Sequence, residues 1–284
     1  MRTLKMQDAA TLLSVSPSTL RNWERRFGYP VPMRSAGGHR HYAHAEIAAL
    51  RGALEEGLSI SSAVGRAREA LAGTTPEGLT RALADLDYEA ADMAMEAALA
   101  LRALEPAVQD MLLAALTALA RQAPEAGAVW ALAAAWADGW LRRAVRMCPP
   151  PWGTASVLVG DAGYGPGSDA LHLRAVELFA ARAGARVTTL PVTALDGLSD
   201  VLHRVRPDVV LIGGADAPDD TVGRWMYSVQ RALGRPPLAR YRRRVSVAAG
   251  TGDPALLADA PIDACRQLLE LAGTGAASIR ALGA

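Results

Sequence analysis

Residues Ser16–Gly28 read SPSTLRNWERRFG. A serine followed by proline sets a helix N-cap and first turn, since the hydroxyl accepts from an otherwise orphaned amide and proline needs no donor there. Phe27 and Gly28 end the helix, because glycine turns left-handed without steric cost. Leu20, Trp23 and Phe27, three and four residues apart, make one apolar face. Ser18, Arg21, Asn22 and Arg25 fall on the opposite side, with donors suited to phosphates and base edges in a major groove. The preceding MQDAATLLSV (Met6–Val15) is expected as a first helix across a tight turn, giving a helix-turn-helix. After it, PMRSAGGHRHY (Pro32–Tyr42) places Gly37 and Gly38 at a tight hairpin and interleaves Arg34, His39, Arg40, His41 and Tyr42. Such a hairpin is expected as a wing along the DNA backbone.

The bulk numbers frame this reading. At 284 residues the chain exceeds one average domain, so two or three modules are expected. A net charge of +1 excludes a globally basic coat and leaves room for a local patch. The two cysteines, Cys148 and Cys265, lack a metal-ligand spacing, which fits a reducing cytoplasm and predicts neither disulfide nor structural metal. The opening MRTLKMQDAATLL has no long apolar stretch after its charges and does not read as a signal peptide. The Ala/Leu-rich Ala94–Val145 is interrupted by Arg102, Glu105, Asp110, Arg121, Glu125 and Asp138, which predicts packed helices and no membrane span. The expectation is a cytoplasmic, nucleoid-associated, multi-domain protein.

SPSTLRNWERRFG and GGHRHY (Gly37–Tyr42) resemble the MerR family of transcription regulators. Its signature runs Ser-Pro-x-Thr-Leu-Arg-x-(Trp/Tyr)-Glu-Arg, then a wing of Gly-x-Arg-x-Tyr type, here Gly38, Arg40 and Tyr42. The resemblance covers about the first 72 residues, with EIAALRGALEEGLSISSAVGRAREAL (Glu46–Leu71) as the next two helices. It implies a double-stranded DNA operator with two-fold symmetry and a homodimer or higher homo-oligomer. It also implies that Ser18, Arg21, Asn22 and Arg25 face the groove, Thr19 lies near a phosphate, and Arg34, His39, Arg40 and Tyr42 grip the backbone. Trp23 is expected in the core and Glu24 in an ion pair within the domain. The cysteine clusters of metal-sensing and redox-sensing members are missing. Pro76 and later breaks exclude one long dimerisation helix, so another part of the chain is expected to hold a dimer.

Three segments are expected. Residues 1–73 form the winged helix-turn-helix. AGTTPEGLT (Ala72–Thr80) starts a new helix with Thr75 as cap, and residues 76–148 form a four-helix bundle with breaks near Asp87, Glu105–Pro106 and QAPEAG (Gln122–Gly127). CPPPWGTA (Cys148–Ala155) reads as a linker. Residues 153–284 alternate apolar runs with helical patterns: SVLV (Ser156–Val159), Asp169–Arg182, ARVTTLPV (Ala185–Val192), LDGLSDVLHRV (Leu195–Val205), DVVLIGG (Asp208–Gly214), DTVGRWMYSVQRAL (Asp220–Leu233), RVSVAAG (Arg244–Gly250) and DACRQLLELAG (Asp263–Gly273). That alternation predicts a flavodoxin-like α/β domain with a parallel sheet covered on both faces. The basic run Arg235–Arg244 is expected as a solvated loop.

This order of modules resembles the CarH/LitR group of cobalamin-dependent light-responsive regulators. There an Asp/Glu-x-His-x-x-Gly motif follows the first strand of the sheet, its His ligating cobalt, and the bundle caps the other face with Trp-x9-Glu-His. Here the first motif is Asp161-Ala162-Gly163-Tyr164-Gly165-Pro166, with Gly163 in the His position and Pro166 in the Gly position. With Trp130 as the bundle Trp, the Glu-His positions hold Trp140 and Leu141, and no His occurs between His44 and His172. Trp130, Trp136 and Trp140 read either as bundle core or, the favoured reading, as filling the space of a corrin. Asp161, Gly163, Tyr164, Gly213 and Gly214 mark the remaining pocket, with Gly213–Gly214 either a close backbone approach or an ordinary turn. His172 reads as a packing residue. The expectation is the shell of a corrinoid site, with neither cofactor nor metal. The alternatives are a corrinoid-dependent repressor that binds cobalamin without a lower His, and a regulator sensing another small-molecule or protein effector.

A catalyst is not expected. Gly165-x-Gly167-x-x-Ala170 matches a dinucleotide fingerprint in form only, since Gly160 ends the strand and the match begins five residues later. No nucleophile-base pair or carboxylate pair stands at a recognisable spacing.

Overall fold

The computed structural model describes residues 3–34, 38–72, 75–123, 125, 127–153, 155–234, 236–242 and 254–273. The chain divides into two compact units, Met1–Ala82 with Asp87–Arg102, and Leu83–Leu86 with Ala103–Ala284.

In the first unit, β1 (Thr3–Lys5) leads into α1 (Met6–Leu12) and α2 (Pro17–Phe27). Ser16 caps α2 by accepting from the Thr19 amide at 3.0 Å, and Gly28 ends it at φ 61°. Then come β2 (Met33–Arg34), β3 (Arg40–Ala43), α3 (His44–Glu55) and α4 (Ile60–Ala72). The strands form an antiparallel sheet of order β1-β3-β2, with Leu4 opposite Tyr42 and Arg34 opposite Arg40. The core gathers Ala9, Leu13, Leu20, Tyr42, Ile47, Leu50 and Val64, with Trp23 and Phe27 packed against it half-buried. These elements match the winged helix-turn-helix expected from the sequence. The wing turn Ser35–Gly37 lies outside the described residues.

Two helices follow in or next to this unit. Thr75 caps α5 (Pro76–Ala84) through the Gly78 amide at 3.2 Å, and Asp87 caps α6 (Tyr88–Leu101) through the Ala90 amide at 3.0 Å. The segment expected as one bundle therefore does not fall within one unit. Its later part, in the second unit, runs from α7 (Leu104–Pro106) through a π-helical stretch (Ala107–Leu113) into α8 (Ala114–Gln122), then α9 (Ala128–Met147). The break expected at Glu105–Pro106 is instead at Arg102–Ala103. Pro106 sits in the first turn, where a missing amide costs nothing.

The rest of the second unit is β4 (Ser156–Asp161), α10 (Ser168–Arg182), β5 (Arg186–Pro191), α11 (Leu198–Val205), β6 (Val209–Gly213), α12 (Asp219–Leu233), β7 (Leu238–Tyr241), β8 (Ala255–Leu256) and α13 (Pro261–Leu271). The sheet is parallel throughout, in the order β5-β4-β6-β7-β8. Counted within the unit this is 2-1-3-4-5, the flavodoxin order. One face packs Leu158, Val210 and Ile212 against Leu202, Val222, Trp225 and Val229 of α11 and α12. On the other, α10 contacts β5 and β6, and α9 and α13 pack against α10. With neighbours on both sides, α10 buries the whole run Ala175–Ala180.

Part of the basic run expected as a solvated loop is a strand. Leu238–Tyr241 is strand β7, not a solvated loop, because its alternation buries Ala239 and Tyr241 while Arg240 stays half-exposed. The strand expected at Arg244–Gly250 lies outside the described residues, as do Arg235, Arg243 and Arg244. No described helix is long and apolar enough to cross a membrane.

Candidate nucleic-acid interface and the loops of the parallel sheet

On α2, Ser18, Thr19, Arg21, Asn22 and Arg25 line one shallow surface depression, as their spacing predicts. Ser18, Arg21, Asn22 and Arg25 are exposed and Thr19 half-buried. Arg25 Nη2 donates to Asn22 Oδ1 at 2.9 Å, and Arg21 Nε donates to the Pro17 carbonyl at 3.2 Å. The Ser16 hydroxyl ties together those of Ser18 and Thr19, at 2.7 and 2.8 Å. The helix thus presents two arginines and an amide on a scaffold of short local bonds.

The far end of α2 is held by Arg68 of α4, a residue the sequence did not single out. Its Nη2 donates to the Phe27 carbonyl at 2.7 Å, and its guanidinium lies 5.6 Å from the Tyr29 ring centroid. A cation on the last carbonyls of a helix also meets the negative end of its dipole.

In the wing, Arg34 and His39 are exposed and Arg40 half-buried. Arg34 and Arg40 face each other across the strand pair, where like charges repel. Arg40 is partnered by Glu24 of α2, Nε to Oε2 at 3.3 Å, which places Glu24 in the expected intra-domain ion pair. Tyr42 requires a correction. Its side chain is fully buried, and its hydroxyl donates to Glu24 beside the Met6 sulfur, so it braces the wing from below and does not reach outward. Burial and then the Glu24 hydrogen bond push the Tyr42 phenol above its ordinary range.

In the second unit, the strand order reverses direction between β4 and β6, where open α/β sheets place ligands at the carboxyl ends. There the described loops after β4 and β6 bond directly to each other. The Ala162 amide donates to the Gly213 carbonyl at 2.8 Å, and the Asp216 and Ala217 amides donate to the Ala162 carbonyl at 3.1 and 2.8 Å. The Tyr164 amide donates to Asp216 Oδ2 at 2.8 Å, while the Tyr164 ring is exposed. Gly214, at φ 91°, brings its backbone so near the β4 loop that a Cβ would lie 2.5 Å from the Gly163 nitrogen. A Cβ on Gly213 would lie 2.6 Å from Leu173, and one on Gly160 would lie 2.7 Å from Trp225. At Gly213–Gly214 the atoms in close approach are the protein's own side chains and backbone.

Asp161 is engaged on both oxygens, accepting from the Gly163 amide at 2.9 Å and from Arg174 Nη2 at 2.8 Å. Arg174 also binds Glu177 at 2.9 Å and faces Asp138 of α9 at 3.5 Å. One largely buried guanidinium therefore joins the β4 loop, α10 and α9. Burial raises the Glu177 carboxyl, opposed by Arg174. For Arg174 itself burial acts downward, and the carboxylates outweigh it, so its pKa is raised. Trp130 of α9 is core, whereas Trp136 and Trp140 are half-buried. His172 is half-buried with Nδ1 on the Ser168 carbonyl at 2.9 Å, and burial lowers its pKa, as fits a packing residue. Among the described residues no group of three or more His, Cys, Asp or Glu could hold a metal ion.

Comparison with known proteins fits this geometry. Residues 4–68 match the family described as MerR HTH family regulatory protein. The chain is 39% identical over 71 residues to the HTH-type transcriptional repressor CarA of Myxococcus xanthus, covering 23% of this chain and 25% of that protein. It is 37% identical over 65 residues to the HTH-type transcriptional repressor CarH of the same organism, covering 22% of each. It is 43% identical over 44 residues to the HTH-type transcriptional regulator MlrA of Escherichia coli (strain K12), covering 16% of this chain and 18% of that one. The chain thus spans a quarter or less of the curated relatives it matches. Among solved structures it is similar to a cobalamin-binding protein from Desulfitobacterium hafniense DCB-2, with a TM-score of 0.34 and 15% identity, covering 69% of this chain and 98% of that one. Residues 4–68 are a MerR-type helix-turn-helix module, carried here on a chain that continues into a parallel flavodoxin-like sheet.

Proposed function

We propose that the chain is a sequence-specific, duplex-DNA-binding transcriptional regulator, not an enzyme, acting as a homodimer or higher homo-oligomer on a two-fold operator. The observation that carries this is the exposed α2 face of Ser18, Thr19, Arg21, Asn22 and Arg25 beside a wing bearing Arg34, His39 and Arg40. Such a face fits a major groove while the wing meets phosphates. The similar repressors CarA and CarH support the regulatory role. The two helices next after α4 are short, α5 of 9 residues and α6 of 14, so assembly belongs to other surfaces.

We further propose that regulation proceeds without cobalamin. A corrinoid does not fit the residues present. Gly163 offers no imidazole, Asp161 is used up by Arg174 and the Gly163 amide, and Leu173 and Trp225 fill the spaces over Gly213 and Gly160.

The DNA-binding reading is tested by selecting bound duplexes from a random library with the full chain, then comparing variants on the selected site and on unrelated duplex. Asn22→Ala should lose about 1–3 kcal/mol on the selected site with little change on unrelated duplex. Arg34→Ala should weaken both equally. A selection that yields no preferred sequence contradicts the reading.

A further inference from the structure

Four side chains of α2 carry charge: Arg21, Glu24, Arg25 and Arg26. Glu24 alone is negative, and it turns inward, with 11% of its side chain exposed. It meets two groups of β3 at once, the buried Tyr42 hydroxyl and the inner edge of the Arg40 guanidinium. Arg40 Nε is buried on that edge and makes no hydrogen bond, so Glu24 meets it as an ion pair at 3.3 Å, while the side chain as a whole is 38% exposed. An arginine paired with a carboxylate on its Nε edge keeps two Nη groups, a planar fork that suits a phosphate. Across the strand pair Arg40 faces the like charge of Arg34, which Glu24 offsets.

We propose that Glu24 is a positioning residue for DNA binding. Through the ion pair on the Nε edge of Arg40 it orients that guanidinium toward a backbone phosphate, and through Tyr42 it fixes the wing at a set distance from α2. This deepens the DNA-binding reading and rests on it. Tyr42 is the brace between the two elements, which accounts for an aromatic hydroxyl buried at a wing position.

The proposal has a sign that simple charge counting does not. Removing a carboxylate from a cationic DNA-binding face should raise affinity if only net charge mattered. If Glu24 aims Arg40, Glu24→Gln should lower it. The test measures binding of the full chain to duplex DNA at several salt concentrations, for the wild type, Glu24→Gln, Arg40→Ala and the double variant, with thermal melts to check folding. Glu24→Gln should weaken binding on the order of tenfold on all duplexes, with a salt slope shallower by about 1 for each head. Arg40→Ala should do the same, and the double variant should bind no worse than Arg40→Ala. If Glu24→Gln fails to fold, Arg40→Lys decides the matter: it keeps the charge and leaves Glu24 in place but offers no Nε edge for Glu24 with a fork beyond. Arg40→Lys should then bind as weakly as Arg40→Ala. A Glu24→Gln protein that binds as tightly as wild type or tighter, losses that add in the double variant, or wild-type binding by Arg40→Lys would each overturn the assignment of Glu24 alone. A wild-type chain that binds no duplex overturns the DNA-binding reading and this one with it.

Discussion

Arg174→Ala should cost about 3–5 kcal/mol of stability near neutral pH, because it strips the guanidinium from three carboxylates in a largely buried setting. Arg174 keeps 13% of its side chain exposed and Glu177 only 8%, so solvent cannot take over the lost partner. The penalty should depend on pH with a definite sign. Glu177 already has a folded-state pKa above its ordinary 4.5, so its contribution is fully present below that value and is lost as pH rises through the folded value. Taking away Arg174 removes the main influence holding that pKa down. The loss in Arg174→Ala should therefore shrink as pH falls toward 4.5 and be largest near neutrality. Denaturant unfolding of wild type and variant across that range measures it. A loss under about 1 kcal/mol, or one that ignores pH, contradicts the account of Arg174 as the tie between α9, α10 and the β4 loop.

Binding to the selected operator should fall roughly a thousandfold between 50 and 200 mM salt. Arg21, Arg34 and Arg40 offer three cationic phosphate contacts per head, hence about six for a dimer, and each phosphate neutralised contributes about −0.9 to the logarithmic salt slope. A slope near −5 over a fourfold rise in salt gives roughly that factor. Titrations at four or five salt concentrations yield the slope directly. A slope close to zero would show that these arginines do not meet phosphates, whatever else the α2 face does.

The sequence made the first unit legible because its decisive features are local. Ser16, Pro17 and Gly28 bound α2 by rules that act within one turn, and the apolar spacing of Leu20, Trp23 and Phe27 orients it. The alternation of apolar runs with helical patterns likewise marks β4, β5, β6 and the helices between them. What escaped depends on distant partners or on short elements. Leu238–Tyr241 offers four residues within a basic run, too few for periodicity to outweigh charge, and its partner β6 decides the matter. The family resemblance implies that Tyr42 grips the DNA backbone from the wing, but its side chain is buried. Its burial follows from Glu24 and Met6, which lie 18 and 36 residues away. The Asp138–Arg174–Asp161 tie spans separations of 36 and 13 residues, and only the Arg174–Glu177 pair, at i and i+3, left a trace in the sequence. The close approach at Gly213–Gly214 was visible, but not that Leu173 and the Gly163 backbone are what approaches.

The central claim is that this chain binds its operator through the MerR-type head and does so independently of cobalamin. It is tested most directly by incubating the full chain with adenosylcobalamin in the dark, removing free ligand, and recording the visible spectrum and operator affinity before and after illumination. The account predicts no retained corrinoid absorbance and the same affinity in every condition, because Gly163 supplies no ligand and Asp161 is engaged by Arg174. Stoichiometric cobalamin carried through desalting, with operator affinity that changes on illumination, would contradict it.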